Sequence, residues 1–336
     1  MAQRAGALMR VAVSGLVTPY SGIGVMQRKL YPRLESLGLD LIELPSRQPG
    51  SGRLARIGAL AGSTFVSLPK DVDHFLSVVT PFPVTLKIPT TTFVYDLRWL
   101  RGRSSLSRAY RARDLRRAIR GSEELVAISE RTAGDLIAFD PGAAAVVAHL
   151  GPGQFDSTEF RASSSRDVML VGAAKHKRNE MAAELIAAMP DGWVGSVFGV
   201  NVSPETVSIL EDALGPSRCH WHANITTAQM NDIYRKCGIS FQLSVEEGFG
   251  LPYIEALAAG QVVVAIDQPL TREVLGSAAI LLQEQSVVEM VDQLVNAALP
   301  DEAARKTVAA KYSWDDFSTN IYQMICDSGK GGTNVA

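Results

Sequence analysis

Cysteine is scarce in this chain: 336 residues hold three, Cys219, Cys237 and Cys326, an odd number without a C-x-x-C pair. That excludes a disulfide framework and a zinc site built on paired thiolates, and it fits a reducing cytoplasm. Long apolar runs are missing as well. No stretch approaches the roughly 18 apolar residues of a membrane-spanning helix, and the start MAQRAGALMRVAVSGL has no secretory apolar segment distinct from a first strand. Nor is one sign of charge in excess. Thirty-three Lys and Arg stand against 35 Asp and Glu, a net charge of −2, which argues against binding nucleic acid through global charge. These absences leave a protein of the cytoplasm, or one peripheral to the inner face of the plasma membrane.

What is present is an ordinary globular composition, 46% hydrophobic and 20% charged, at a length that implies about two domains. The run VAVSG at 11–15 reads as a buried strand, followed by the loop PYSGIG and a helical pattern through Leu37 that Gly38 closes. HFLSVV (74–79), TTFVY (91–95), ELVAI (124–128) and AAVVAHL (144–150) read as further strands. Helices are expected at about 105–119 and 130–139, the second capped by Ser129. The polar, serine-rich DSTEFRASSSRD at 156–167 reads as a linker, after which the pattern restarts. VMLVGA, GSVFGV, ISFQLS and VVVAI are the expected strands of the second half. A helix capped by Ser203 with Pro204 in its first turn, one over about 252–259 and one near 286–298 lie among them. Strands alternating with helices give an α/β chain of two doubly wound, Rossmann-like domains, whose ligands bind outside the carboxyl ends of the strands. The expected division is 1–155, a linker at 156–167, 168–311, and a C-terminal helix at 312–328 that packs back on the first domain. The two domains are expected to face each other across a cleft.

One loop asks for a ligand. In EEGFGLPYIEALAAG (246–260), Pro252 suits the first turn of a helix and Gly260 its end, so Gly248, Phe249 and Gly250 sit at the helix N-terminus. Free backbone amides and the positive end of the helix dipole favour an anion there, a phosphate for instance. Glu255, near the first turn, suits hydrogen bonds from paired hydroxyls such as those of a ribose, and Glu247 on the preceding loop can reach another part of the same ligand. Acids near a helix N-terminus also stabilise the helix whatever they bind, by about 0.3 to 1 kcal/mol.

The string LSVEEGFGLPYIEALAAGQVVVA resembles the donor-site signature of retaining glycosyltransferases of family 4, with the GT-B fold and a Glu, seven residues, Glu motif, here Glu247 and Glu255. Weaker likenesses fall in the right order. SGIG (21–24), with Gly22 and Gly24, is similar to that family's glycine-rich first loop, VYDLRWL (94–100) to a loop after a central strand, and AISERTAGDL to the segment before the linker. LVGAAKHKRN resembles the basic phosphate loop, NITTAQMNDIY (224–234) the base-binding loop, and YSWDDFSTNIY the C-terminal helix. The resemblance implies that Glu255 binds the nucleotide ribose, that Glu247 and the backbone of Phe249, Gly250 and Leu251 approach the sugar and diphosphate, that Lys177 and Arg178 neutralise the diphosphate, and that Ile225 lines the base pocket. The chain departs from the family in the order Lys177-Arg178 and in Tyr95 standing before Asp96 where many members have His. Asp96 is then the catalytic-side candidate for orienting an acceptor hydroxyl; its plain alternative is a loop Asp capping the next helix.

The implied activity is metal-independent, retaining transfer of a sugar from a nucleoside diphosphate to a hydroxyl of a glycan, glycolipid or cell-envelope precursor, with no cofactor. An epimerase or phosphorylase on the same architecture, or a catalytically silent sugar-nucleotide-binding subunit, are the alternatives. Three other features carry a second reading each. Asp71-Val72-Asp73 has the form of a metal-binding Asp-x-Asp but reads as a turn into HFLSVV. His220 and His222 share a strand face without an evident third ligand. Residues 98–120 hold nine arginines and one acid, a solvated helix face or a surface for an anionic membrane.

Overall fold

The computed structural model describes residues 8–17, 21–45, 68–79, 88–100, 105–156, 160 and 164–328. Residues 18–20 of the first loop, 101–104 of the arginine-rich segment, and 157–159 and 161–163 of the expected linker lie outside these. By its contacts the chain forms two units, one of Met1–Leu150 with Trp314–Ala336, the other of Gly151–Ser313.

The described residues of the first unit hold a six-stranded, fully parallel sheet. Its strands are β1 (Met9–Val13), β2 (Leu39–Glu43), β3 (His74–Ser77), β4 (Thr90–Val94), β5 (Glu124–Ala127) and β6 (Ala145–Val147), in the order β2-β1-β3-β4-β5-β6. Central strands of a parallel sheet are covered on both faces, which is why Val11, Ala12, Phe75, Leu76, Phe93 and Val94 are buried in succession rather than in alternation. Helix α1 (Gly22–Ser36) begins where Ser21 Oγ accepts from the Gly24 amide at 3.0 Å, and Gly38 at φ +103° turns the chain into β2. β2, an edge strand with a half-exposed pattern, was not among the expected strands. Helix α2 (Ser105–Gly121) follows, and α3 (Glu130–Phe139) carries the expected cap, Ser129 Oγ accepting from Thr132 N at 3.1 Å.

The sheet of the second unit is also parallel and six-stranded: β7 (Val168–Val171), β8 (Val197–Val200), β9 (Cys219–His222), β10 (Ile239–Gln242), β11 (Val262–Ile266) and β12 (Ala279–Leu282). Its order, β12-β11-β10-β7-β8-β9, is 3-2-1-4-5-6 counted from β7 and read from the β9 edge, the dinucleotide-fold order that reverses between its first and fourth strands. The intervening helices are α4 (Asn179–Ala187), α5 (Pro204–Leu214), α6 (Thr227–Lys236), α7 (Leu251–Ala258), α8 (Pro269–Val274), α9 (Val287–Asn296) and α10 (Glu302–Ala309). Ser203 caps α5 with Pro204 in its first turn. Segment 224–234, expected as a loop, is mostly α6: Thr226 and Gln229 form a reciprocal capping box, and Met230, Ile233 and Tyr234 turn inward at helical spacing. Only the residues up to Thr226 are irregular.

Helix α11 (Trp314–Ser328) joins the first unit. Trp314, Ile321 and Ile325 are fully buried, Phe317 meets Phe93 edge to face at 6.0 Å, and Asp315 pairs with Arg33 of α1 at 2.7 Å.

Candidate functional site

Where the order of the second sheet reverses, the loops after β7 and β10 leave neighbouring strands in opposite directions and open a crevice at their carboxyl ends. The loop after β7 is tightly closed. Gly172 stands at φ +88°, Arg178 at φ +55° ends a short 3-10 turn over Lys175–Lys177, and the Asn179 side-chain amide donates to the Gly172 carbonyl. The turn sends Lys177 and Arg178 to different partners. Lys177 Nζ donates to Glu247 Oε1 at 2.6 Å, with the two side chains 16% and 11% exposed. Arg178 pairs with Glu284 at 2.6 Å, and this hydrogen-bonded carboxylate raises the guanidinium's pKa.

Glu247 sits in a polar knot on the loop after β10. Besides Lys177 it receives Ser244 Oγ at 2.9 Å, and His176 Nε2 lies 3.8 Å away. Burial pushes its carboxyl up, but the Lys177 ammonium, with Ser244 and His176 behind it, outweighs that and leaves the pKa below the ordinary value. The knot is braced by Gln268, whose amide donates to the Ser244 carbonyl at 2.8 Å. Glu247 is thus an ionised acid held beside a cation.

Helix α7 starts at Gly250, which caps it at φ +80°; a Cβ there would run into the Tyr253 ring. Leu251, half-buried, is its first residue, while the Phe249 side chain is buried edge-on to Tyr312 at 5.5 Å and only its backbone faces the turn. Glu255 is 5% exposed. Tyr234 OH donates to its Oε2 at 2.7 Å and the Gln154 amide to its Oε1 at 3.1 Å. Burial raises the Glu255 pKa against the pull of Tyr234, Gln154 and Lys177. Lys177 therefore acts electrostatically on both acids of the motif, which takes the two glutamates from a spacing in sequence to one electrostatic site. Ile225, half-buried, precedes α6 just after β9. These positions suit a bound anion: a lysine at the crevice, the amide end of α7, and two acids able to accept hydroxyls.

Gly22, Gly24 and Asp96 belong to the first unit. The two glycines form the first turn of α1, with Gly24 bonded to the Ser21 cap. Asp96 caps the turn over Arg98–Leu100: its Oδ1 accepts from the Arg98 amide at 3.0 Å and its Oδ2 pairs with the Arg98 guanidinium at 3.0 Å. Tyr95 turns its hydroxyl onto the Val78 carbonyl at 3.0 Å, so this phenol ties the end of β4 to the end of β3.

Asp71, Asp73, His220 and His222 have partners within the fold. Asp73 accepts from the Arg10 amide at 2.9 Å, and the Asp71 carbonyl accepts from the Arg10 guanidinium. His220 stacks on Phe198 at 4.5 Å, and His222 lies parallel to the same ring at 6.3 Å. Among the described residues no group of three or more His, Cys, Asp or Glu is placed to hold a metal ion. In α2, Leu115 and Ala118 are buried and Ile119 is half-buried, leaving Arg108, Arg113, Arg116 and Arg120 exposed. Sequence reasoning missed Tyr234, Gln154, Gly153 and Ser244. The doubled glycine of GPGQF at 151–155 was the one local signal, since it marks a backbone that must pass close to something.

Residues 179–314 match the family model of glycosyl transferases group 1. An O-antigen chain mannosyltransferase of Salmonella typhimurium is 28% identical over 107 residues, which are 30% of this chain and 29% of that protein's length. Among solved structures, a sucrose-phosphate synthase from Thermosynechococcus elongatus superposes with a TM-score of 0.69 at 13% identity, over 95% of this chain and 98% of the other. WaaG, a glycosyltransferase involved in lipopolysaccharide biosynthesis, superposes with a TM-score of 0.60 at 13% identity, over 97% and 100%. The chain has the two-domain GT-B fold, and the stretch similar to group 1 glycosyl transferases, residues 179–314, lies almost wholly within its second unit.

Proposed function

We propose that the protein is a retaining glycosyltransferase that moves a hexose or deoxyhexose from a nucleoside diphosphate to a hydroxyl of a glycan, glycolipid or other cell-envelope acceptor, without a metal. The observation that carries this is the partly buried Lys177–Glu247 pair at the strand reversal of the second unit, within the stretch matched to group 1 glycosyl transferases or just before it. A leaving diphosphate gains negative charge in the transition state, and a lysine together with the α7 amides stabilises it without reorganising. Glu255 accepts the ribose hydroxyls, and Ile225 lines the base. Glu247 approaches the transferred sugar, its ionised state kept by Lys177. For retention, the acceptor attacks from the face the diphosphate leaves, and a phosphate oxygen takes the acceptor proton, so no separate side-chain base is needed. The exposed arginines of α2 suit anionic headgroups or a diphosphate-linked acceptor. The relatives' involvement in O-antigen and lipopolysaccharide synthesis supports an envelope acceptor.

The test is turnover on UDP-, GDP-, ADP- and dTDP-sugars, each with and without a panel of glycan and lipid-linked acceptors in chelator. The reading expects nucleoside diphosphate released only when an acceptor is present, a product that keeps the donor's anomeric configuration by NMR, and loss of turnover in Glu247→Gln. A changed nucleotide sugar formed without acceptor would make it an epimerase instead, and inverted product would remove the front-face mechanism.

A further inference from the structure

One helical layer of the second unit carries negative charge alone. Leu185 and Ile186 of α4, Leu210 of α5, and Met290 and Leu294 of α9 pack into one core with the sheet. α9 lies beside α4 and α4 beside α5, so the three form a continuous layer on one face of that sheet. None of them contains a lysine, arginine or histidine. Their exposed charges are Glu184, Glu205, Asp212, Glu289 and Asp292, and none of these is in an ion pair among the described residues. Exposed apolar side chains are concentrated in the same layer. Among the described residues of the second unit, the large apolar side chains standing exposed are Val288 at 77%, Val295 at 43% and Leu299 at 71%, all on α9 or just past its end. Single exposed apolar residues are ordinary on a protein surface, but here those of a whole unit fall within one short stretch.

The inner row of α9, Met290 and Leu294, serves the core, while Val288 and Val295 lie about 10 Å apart on an outer row that faces water, with Asp292 one turn along between them. An apolar row at i and i+7 is the seam that a second helix meets, and acids beside it take lysine or arginine from that helix's flanks. We infer that the outer row of α9, Val288 and Val295 continued by Leu299, is a docking surface for a cationic amphipathic helix of a partner protein, one with an apolar seam flanked by lysine or arginine. Two other occupants fit less of what the layer presents. An anionic membrane would accept the apolar row but repel the acids around it. A second copy offering its arginine-rich α2 would meet the acids but leave the row in water, because the described exposed side chains of α2 are Arg108, Ala109, Arg113, Arg116 and Arg120.

The experiment titrates the full chain into a fluorescent synthetic helix with a leucine seam and lysine flanks, reading anisotropy, beside the same helix with alanine in its seam. The leucine helix is expected to bind about tenfold tighter than the alanine one or better, and to lose affinity as salt rises. Val288→Asn with Leu299→Asn, at positions exposed enough to leave Tm unchanged, should bring the leucine helix down to the alanine level. Asp292→Lys with Glu184→Lys should weaken both helices and flatten the salt dependence. Failure of the leucine helix to bind, equal binding of the two helices, or affinity that the Val288→Asn, Leu299→Asn variant keeps in full would overturn the inference. Either rival occupant would overturn it too: a wild-type dimer in sedimentation that this variant dissolves, or flotation with anionic phospholipid vesicles that it abolishes.

Discussion

Lys177 answers two demands with one charge. It neutralises Glu247, a carboxylate only 11% exposed, and in the proposed complex it also faces the donor diphosphate. Replacing it by methionine keeps the stem and removes the charge, so burial then acts on Glu247 unopposed by its main partner. We expect Lys177→Met to weaken nucleoside diphosphate binding by tenfold to roughly a hundredfold, the worth of a charged hydrogen bond, as read by calorimetry. The Glu247 carboxyl should titrate higher in the variant, visible by carboxyl-labelled NMR. At the same scale, His74 gives a pH dependence of definite sign. It is wholly buried between Thr91 Oγ1 at 3.0 Å and Ser328 Oγ at 3.2 Å, and burial lowers its pKa to about 4. The unfolded chain takes up the proton first as pH falls below about 6.5, so stability from this group is full above that pH and drains between about 6.5 and 4, by roughly 3 kcal/mol in all. The stability difference between wild type and His74→Gln, measured by urea denaturation across that window, should therefore shift against wild type as pH falls. A pH-independent difference would mean His74 does not titrate as its surroundings imply.

At the scale of elements, the short helix α7 depends on how it begins. Gly250 holds a left-handed cap whose Cβ would collide with Tyr253, so Gly250→Ala should cost about 1–3 kcal/mol or unwind the first turn, lowering both Tm and diphosphate affinity. Removing the Ser203 cap of α5 by Ser203→Ala should cost about 1 kcal/mol, read as a lower Tm. Elements also show how far the sequence could be read. β11 matches its expected span because five consecutive buried residues, VVVAI, leave no other period, and Ser129, Ser203 and Pro204 mark helix starts through local chemistry alone. α6 was hidden because TTAQMNDIY is mostly polar, with few buried residues, so that it reads as a loop; the Thr226–Gln229 capping box is seen only in the structure. β2 was hidden for the opposite reason: an edge strand needs only half its side chains buried. The clamp on Glu255 was beyond local reading altogether, since Gln154 and Glu255 are 101 residues apart and the contact is backbone to side chain.

At the scale of the whole chain, the return of α11 to the first unit is part of that unit's core. Trp314, Phe317, Ile321 and Ile325 are each 2% exposed or less, and burying such side chains is worth about 1.5–3 kcal/mol apiece. A chain cut before Trp314 should therefore lose the cooperative unfolding of the first unit, seen as a missing calorimetric transition or exposed apolar surface, while the second unit, Gly151–Ser313, keeps its own. The organisation by strand order also places the chemistry: the two sheets reverse at different points, between β1 and β3 in one and between β7 and β10 in the other, and the motif acids fall at the second. That placement is the centre of the account, and calorimetric titration of wild type and Lys177→Met with UDP, GDP, dTDP and ADP tests it most directly. One diphosphate is expected to bind selectively and the variant to lose at least tenfold of that affinity; no binding by any of the four, or equal binding by the variant, would contradict that placement.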